Sequence, residues 1–160
     1  MIVKPFVDTN ILIYAHDREA GTRRDTAAEL VRHLWQRGGA VLSTQVLHEF
    51  YVNVTRKIPS PLTPAKARGI VENYCAWQVE ISTCETIRQA TDIQERHQLS
   101  FWDALIVAAA VQGRADALFS EDLNAGQLIE GIRVINPFTA DTEAIGALLS
   151  NATKDGPQSG

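Results

Sequence analysis

Cysteine is scarce in this chain, which has 160 residues and only two cysteines, Cys75 and Cys84. They form no Cys-x-x-Cys pair, so we expect neither a disulfide framework nor a thiolate zinc site, and we expect a reducing compartment. A helix needs about 18 apolar residues to cross a bilayer, and no apolar run in this chain is that long. Between Met1 and Asp8 there is no apolar stretch long enough for a signal peptide. These absences predict a cytoplasmic protein without membrane contact.

Excess positive charge is also missing. The chain has 15 lysines and arginines against 19 aspartates and glutamates, a formal net charge of −4. This balance disfavours a nucleic-acid partner, because phosphate backbones attract basic domains. However, Arg18, Arg23 and Arg24 cluster locally. Such a cluster is either a solvated helix face or a patch that contacts phosphates, and clustering alone does not separate the two.

Short apolar segments alternate with longer amphipathic ones along the chain. We expect strands at residues 6–7, 40–43, 79–81, 117–120 and 132–135, the first starting after Pro5 because proline cannot donate to a ladder. We expect helices at residues 10–17, 22–37, 44–57, 64–76, 84–97, 101–112 and 141–149. This alternation predicts an α/β fold with a mostly parallel sheet. We expect one domain at residues 1–150 and a disordered polar tail at 151–160.

Two aspartates stand in positions that are unusual for surface charge. Asp8 follows the first strand and precedes an apolar segment, so it is either a helix N-cap or a ligand. Asp103 is the only charged residue between Phe101 and Gln112, in a helix apolar enough to be buried. A buried charge is costly unless it is paired or bound to metal. Ser100 and Asp103 also match a capping box, so capping and ligation both remain open.

Two further acids are candidates for the same site. Asp122 follows the strand that ends at Ser120, where a turn or a helix cap is the alternative role. Glu49 lies within a predicted helix, where a solvated glutamate is the usual case. Val46 and Asn53 share its helix face, so Glu49 adjoins the apolar stripe and has in Asn53 a possible amide partner one turn later.

The four acids carry more weight together than separately. Ligands of open α/β sheets gather at the carboxyl ends of the strands, where Asp8, Asp103 and Asp122 can converge. Clustered carboxylates repel one another, and some would retain protons. Mg²⁺ or Mn²⁺, which are hard and oxygen-seeking, would relieve this repulsion. A hard metal also fits the lack of a histidine cluster, since no common spacing connects His16, His33, His48 and His97.

The acidic residues lie in four motifs that resemble those of PIN domains. In chain order these are Asp8-Thr9-Asn10, His48-Glu49-Phe50-Tyr51, Phe101-Trp102-Asp103-Ala104 and Ser120-Glu121-Asp122-Leu123. The last has the Ser/Thr-x-Asp form. The resemblance covers roughly residues 5–138 and includes Ile135-Asn136-Pro137-Phe138 near its end. Each motif is weak alone, but four in this order and at these spacings are specific.

The resemblance is closest to compact bacterial PIN domains of the VapC toxin type. It implies a three-layer α/β/α sandwich with a five-stranded, mostly parallel sheet and Mg²⁺- or Mn²⁺-dependent endoribonuclease activity. It also implies a homodimer and inhibition by a small antitoxin. The metal ligands that it implies are Asp8, Glu49, Asp103 and Asp122, with Thr9, Asn10 and Ser120 as supports and Glu121 as a possible assistant of Asp122. An RNA substrate would then contact Arg18, Arg23 and Arg24.

Three other functions are alternatives to this interpretation. A phosphatase of the haloacid-dehalogenase type needs a second acid two residues after the first, where this chain has Asn10. A non-catalytic module that binds RNA or protein would leave the carboxylate cluster without use and at a cost in stability. A nuclease directed at DNA remains an alternative, and one of the flap type would need a helical arch, for which the chain has no room.

Overall fold

The computed structural model describes residues 3–150, which form a mixed α/β fold. The strands are β1 (Pro5–Val7), β2 (Val41–Ser43), β3 (Gln78–Glu80), β4 (Ala117–Phe119), β5 (Leu128–Ile129) and β6 (Ile132–Ile135). The helices are α1 (Thr9–His16), α2 (Thr22–Gln36), α3 (Thr44–Arg56), α4 (Pro64–Tyr74), α5 (Cys84–His97), α6 (Phe101–Gln112) and α7 (Thr142–Ser150). The predicted α/β class is confirmed. The tail predicted at residues 151–160 lies outside the described residues.

The sheet has the order β3-β2-β1-β4-β6-β5, and every neighbouring pair is parallel except β5 and β6. A mostly parallel sheet was predicted, but the structure has six strands among the described residues rather than five. The additional strand, β5, pairs with β6 across a tight turn in which Glu130 and Gly131 both have positive φ. Pro5 is also part of a strand, contrary to expectation, and it takes the first position, which proline tolerates.

The direction of strand addition reverses at β1. The chain adds β2 and then β3 on one side of β1, and it later returns to add β4 on the other side. Because crossovers between parallel strands are right-handed, this reversal places α1–α4 on one face of the sheet and α5 and α6 on the other. A cleft opens at the carboxyl ends of the strands at such a switch point. The residues that follow β1 and β4 therefore share one cleft.

Helix α6 packs deep in the core and carries its first turn to the same edge of the sheet. Its residues 104–110 are all buried, as the continuous apolar sequence predicts. Gly113 follows the helix so close to β2 that a Cβ there would lie 2.6 Å from Cγ1 of Val41. Since Val41 begins β2, α6 ends near the amino ends of the strands and begins near their carboxyl ends. None of the helices within residues 3–150 is both long and apolar enough to span a bilayer.

Candidate active site

Asp8 lies where β1 ends and α1 begins. The residue is only 5% exposed. Its Oδ1 accepts a hydrogen bond from the backbone N–H of Thr9 at 2.7 Å, and its Oδ2 accepts one from the Ser120 hydroxyl at 2.7 Å. Asp8 is thus the N-cap of α1, as one interpretation of the sequence held. The bond to Ser120 connects this cap to the end of β4, so the residue also joins the two strands of the switch point.

The carboxylates are close enough to perturb one another. Burial raises the pKa of Asp8 from 3.8 to about 7, hydrogen bonds from Ser120 and Thr9 oppose the rise, and the charges of Asp122 and Asp103 add to it. Burial likewise raises the pKa of Asp103, a hydrogen bond with the Ser100 side chain opposes the rise, and the charges of Asp122 and Glu49 add to it. The four acids are therefore neighbours in the fold, although they are far apart in the sequence.

Polar side chains from two helices hold Glu49. The Thr9 hydroxyl donates to its Oε2 at 2.7 Å, and the Gln45 amide donates to its Oε1 at 3.0 Å. The same amide lies 3.4 Å from the backbone carbonyl of Trp102, which connects α3 to the first turn of α6. Asn53 donates instead to the backbone carbonyl of Glu49, at 2.8 Å. The amide partner of this carboxylate therefore precedes it by one turn, whereas the sequence interpretation placed it one turn later.

Asp122 is fixed beside Asp8 by two short connections. Asn10 Nδ2 donates to Asp122 Oδ2 at 2.9 Å, and the Asp122 backbone N–H donates to the Ser120 hydroxyl oxygen at 3.1 Å. Ser120 therefore bridges the carboxylate of Asp8 and the backbone of Asp122. The remaining amide oxygen of Asn10 is buried, and no donor for it exists among residues 3–150. A cation could satisfy this oxygen.

Asp103 stands in the first turn of α6, where Ser100 is the N-cap. The Ser100 hydroxyl accepts a hydrogen bond from the Asp103 backbone N–H at 3.1 Å. The reciprocal bond of a capping box, from the Ser100 backbone N–H to the Asp103 carboxylate, is not formed in the described part of the chain. Ser100 therefore caps the helix, while the capping box expected from the sequence is incomplete.

Glu121 is bound outside the acidic cluster. The Tyr14 hydroxyl donates to its Oε1 at 2.8 Å, and the guanidinium of Arg23 forms a salt bridge with its Oε2. Arg23 also lies over the rings of Tyr14 and Phe138, at 5.4 and 4.8 Å from their centroids. Arg23 thus differs from the free, phosphate-contacting residue that the arginine cluster suggested. Nothing local in the sequence indicates this group, because its members lie far apart along the chain.

Arg18 and Arg24 line a cavity of about 400 Å³ together with Lys66. No acidic side chain lines this cavity, and the three cations enter none of the ion pairs between described residues. His16 lines it as well, and burial, followed by the charges of Lys66 and Arg24, lowers the pKa of His16 to about 4. We call the cavity that these three cations and His16 line the cationic cavity. Lys66 was missed at the sequence level because α4 brings it there.

The acidic residues have the chemistry of a hard-cation site. Every candidate donor is an oxygen: four carboxylates and the buried amide oxygen of Asn10. Within residues 3–150, no three side chains among His, Cys, Asp and Glu are placed to hold one ion together. Mg²⁺ is commonly held by one or two carboxylates, with waters completing its shell. A hard divalent cation therefore fits this site without contacting all four acids.

Comparison with known proteins agrees with this architecture. VapC20 of Mycobacterium tuberculosis, a sarcin-ricin loop cleaving toxin, is 22% identical with a TM-score of 0.58, covering 74% of this chain and 90% of that one. A toxin-antitoxin complex from Klebsiella pneumoniae gives 19% identity and a TM-score of 0.62, with coverages of 84% and 98%. DNA-bound VapBC from Salmonella typhimurium is 18% identical with a TM-score of 0.56, and the match covers 85% of this chain and 99% of that one. No significant match to a curated protein was found.

At these identities, the solved structures establish a common fold. The model of the PIN domain family matches residues 6–131. This span begins in β1, ends at the turn between β5 and β6, and contains all four clustered acids. The chain therefore belongs to the PIN-domain family.

Proposed function

We propose that this protein is a divalent-metal-dependent endoribonuclease and the toxin of a type II toxin–antitoxin pair. The proposal rests on the convergence of four acids at the switch point of the sheet, where Asp8 is buried and its pKa is raised. A fold without use for Asp8 would leave its carboxylate in water, where it is most stable as an ion. One structurally similar protein is a toxin that cleaves the sarcin-ricin loop, which supports RNA as the substrate.

The metal would be Mg²⁺ or Mn²⁺. When bound, such an ion lowers the pKa of a water ligand, orients a phosphate and neutralises charge at the leaving oxygen. The candidate ligands are Asp8, Glu49, Asp103 and Asp122, of which one or two would contact the ion directly while the others would act through its water ligands.

Three polar side chains position these carboxylates. Each donates a hydrogen bond to one acid, which favours the ionised form and limits rotation of the carboxylate. The donor and acceptor pairs are Ser120 with Asp8, Thr9 with Glu49, and Asn10 with Asp122. The chain thus holds the oxygens in place before a substrate arrives.

The cationic cavity is the proposed contact for the RNA backbone away from the cut. Helix α1 leads from Asp8 to this cavity, and its eight residues extend about 12 Å. Phosphates a few nucleotides from the cleaved bond could therefore contact Arg18, Arg24 and Lys66. Arg23 is not part of this contact, because Glu121 and two aromatic rings already surround it.

We further propose one nuclease domain at residues 1–150, a homodimer, a small cognate antitoxin and a cytoplasmic location. Similar folds occur in a toxin-antitoxin complex from Klebsiella pneumoniae and in VapBC from Salmonella typhimurium, which supports an antitoxin partner.

Substitution of Asp8 by asparagine tests the proposed activity. The change nearly preserves shape while removing the charge that would bind metal, so Asp8→Asn should lose RNA cleavage and keep its fold. Purified protein should cut a susceptible RNA with Mg²⁺ or Mn²⁺ and stop when chelator is added. Asp92→Asn is the matched control, since Asp92 is an exposed acid paired with Arg88 on α5. Cleavage by Asp8→Asn at the wild-type rate, or cleavage that persists in chelator, would refute the proposal.

A further inference from the structure

Trp102 presents an exposed indole ring directly beside the acidic cluster. Its relative exposure is 63%, although it belongs to the helix whose following residues 104–110 are all buried. Phe101 contacts the ring edge to face, with centroids 5.3 Å apart, and so covers only part of it. The next residue in the chain is Asp103. A large aromatic surface is therefore left open to a ligand next to a proposed metal-binding side chain.

The ring forms part of the wall of a cavity of about 460 Å³. Glu49 lines the same cavity, so this space is continuous with the carboxylate site. Its volume falls within the about 300–1,000 Å³ of typical small-ligand sites. The remaining lining residues are Thr44, Gln45, His48, Ser82 and Leu105.

Gln45 connects the cavity to the catalytic carboxylate. It is only 9% exposed, and its amide N–H groups reach the Glu49 carboxylate and the Trp102 carbonyl, 3.0 and 3.4 Å away. Its side-chain oxygen is buried and has no donor among residues 3–150. The site thus combines a flat apolar surface with an acceptor that lacks a partner. Nucleobases have a flat face and N–H donors at their edges, so they match both properties.

We propose that this cavity binds an unpaired nucleobase of the RNA next to the phosphate that is cleaved, with Trp102 as the stacking surface. The inference rests on the proposed function. A base can stack on a protein ring only when it has left its own helix, so the substrate is single-stranded RNA or a loop. A protein partner fits less well, since a stable interface buries about 800 Å² per partner around an apolar centre. Here the cavity wall has two apolar residues, Trp102 and Leu105, and its other five lining residues are polar.

Binding of short oligonucleotides in chelator tests the proposal without cleavage. The probes are a fluorescently labelled single-stranded oligoadenylate and an abasic ribose-phosphate chain of the same length. Trp102→Ala should weaken oligoadenylate binding by roughly 5- to 150-fold and leave the abasic chain unaffected. Trp102→Phe should retain most of the affinity. Leu128→Ala, which removes a side chain that is 57% exposed at the opposite edge of the sheet, should change neither.

Several results would overturn the proposal. If Trp102→Ala weakens binding of both probes equally, or of neither, then Trp102 does not contact a base. A lower molar mass of Trp102→Ala in light scattering would place the ring between two copies of the chain. In cleavage assays, the variant should raise KM for single-stranded RNA more than it lowers kcat, and an unchanged KM would contradict stacking. Because the binding assay needs no catalysis, an inactive protein would refute the proposed function and still leave the base site to be judged.

Discussion

The burial of Asp8 opposes its proposed role as a metal ligand. Its position between β1 and α1 removes it from water, and burial raises its pKa to about 7. A carboxylate binds a cation only after its proton has left. Near neutral pH, the metal-free protein therefore holds Asp8 as a mixture of acid and carboxylate, and metal binding must shift that mixture.

This competition predicts a pH-dependent affinity for metal. The folded pKa of Asp8 lies above its ordinary 3.8, so the protonated form dominates below about pH 7. Mn²⁺ affinity should fall about tenfold for each pH unit below that value, with release of one proton for each ion bound, and should vary little above it. Isothermal titration calorimetry in buffers of different ionisation enthalpy measures both quantities. A flat affinity and no proton release between about pH 5 and pH 7 would contradict the prediction.

The pKa of His16 is shifted in the opposite direction from that of Asp8, and it predicts a pH-dependent stability. Its folded pKa, about 4, lies below its ordinary 6.5, so the unfolded chain binds the proton more readily. The contribution to stability is present above pH 6.5 and is lost as the pH falls towards 4, by at most about 3–4 kcal/mol. An NMR titration of the ring signals, with His16→Asn to assign them, checks the pKa. A midpoint near 6.5 would show that the ring is solvated.

The position of Asp8 could be predicted from the sequence, but helical spacing by itself did not rank the two amide partners available to Glu49. Amides lie one turn before and one turn after Glu49, at Gln45 and Asn53, so helical spacing alone favours neither. Cα–Cβ bonds in a helix tilt towards its N-terminus, which places the carboxylate over the preceding turn and beside Gln45. This physical rule was available from the sequence. The bond from Thr9 to Glu49 was not, because it depends on how α1 packs against α3.

At the scale of elements, helix α1 joins two regions of opposite charge. Its first residue follows Asp8 in the acidic cluster, and its last residue, His16, lines the cationic cavity. RNA that crosses the helix would place a phosphate near the carboxylates and others near the cations. The helix would therefore set the spacing between the cut and a second point of contact.

The cationic cavity predicts a change in the salt dependence of RNA binding. Replacing Arg18 and Arg24 by alanine should weaken RNA binding. It should also reduce the steepness of the slope of log K against log salt concentration by about 1.4, because two phosphate contacts are lost. Filter binding with metal chelated, over a range of salt concentrations, measures the slope. Arg23→Ala is the matched control, because Arg23 is paired with Glu121 and should leave the slope unchanged. Equal slopes for wild type and the double variant would place the RNA elsewhere.

Long elements could be predicted from the sequence, whereas the shortest could not. The uninterrupted apolar residues of α6 indicate a buried helix whatever surrounds them. Strand β5 has only two residues, Leu128 and Ile129, too few for an alternating pattern. It is a strand only because it pairs with β6. The capping box at α6 is also incomplete: Ser100 caps the helix, but no return bond from its backbone N–H to the Asp103 carboxylate forms in the described part of the chain.

At the scale of the whole molecule, the order of the strands was not predictable. Three-residue strands such as β1 and β4 carry too little pattern to select their neighbours. Alternation of strands and helices indicates a parallel sheet, but any of several orders satisfies it. The observed reversal at β1 is what brings Asp8, Glu49, Asp103 and Asp122 together.

Convergence of the acids predicts that metal stabilises the whole fold. Metal that binds only the native state adds about 2.7 kcal/mol at a hundredfold excess over Kd, a melting shift on the order of 5–10 °C for this size. Asp103→Asn should lose most of the shift, and in chelator it should melt at or above wild type because one repelling charge is gone. Thermal melts with chelator and with excess Mn²⁺ measure this. Asp92→Asn, which lies outside the acidic cluster, should show the same metal-dependent shift in melting temperature as wild type.

Helix capping alone predicts a different set of melts. Mn²⁺ would then have little effect on any variant, and Asp103→Ala would lose about 1 kcal/mol whether metal is present or absent. Wild-type protein without a shift at millimolar Mn²⁺ would therefore reject metal binding by the free enzyme. The site would then need RNA phosphate to complete it.

The pairing of β1 with β4 decides when this protein can first act during its own synthesis. Asp8 leaves the ribosome early, but Ser120 and Asp122 follow more than a hundred residues later, and β1 cannot pair with β4 before then. A nascent chain that stops before β4 has only part of the carboxylate set, and Asp8 lacks its partner Ser120. Translation must therefore proceed past β4 before the growing polypeptide can assemble the site of the proposed activity.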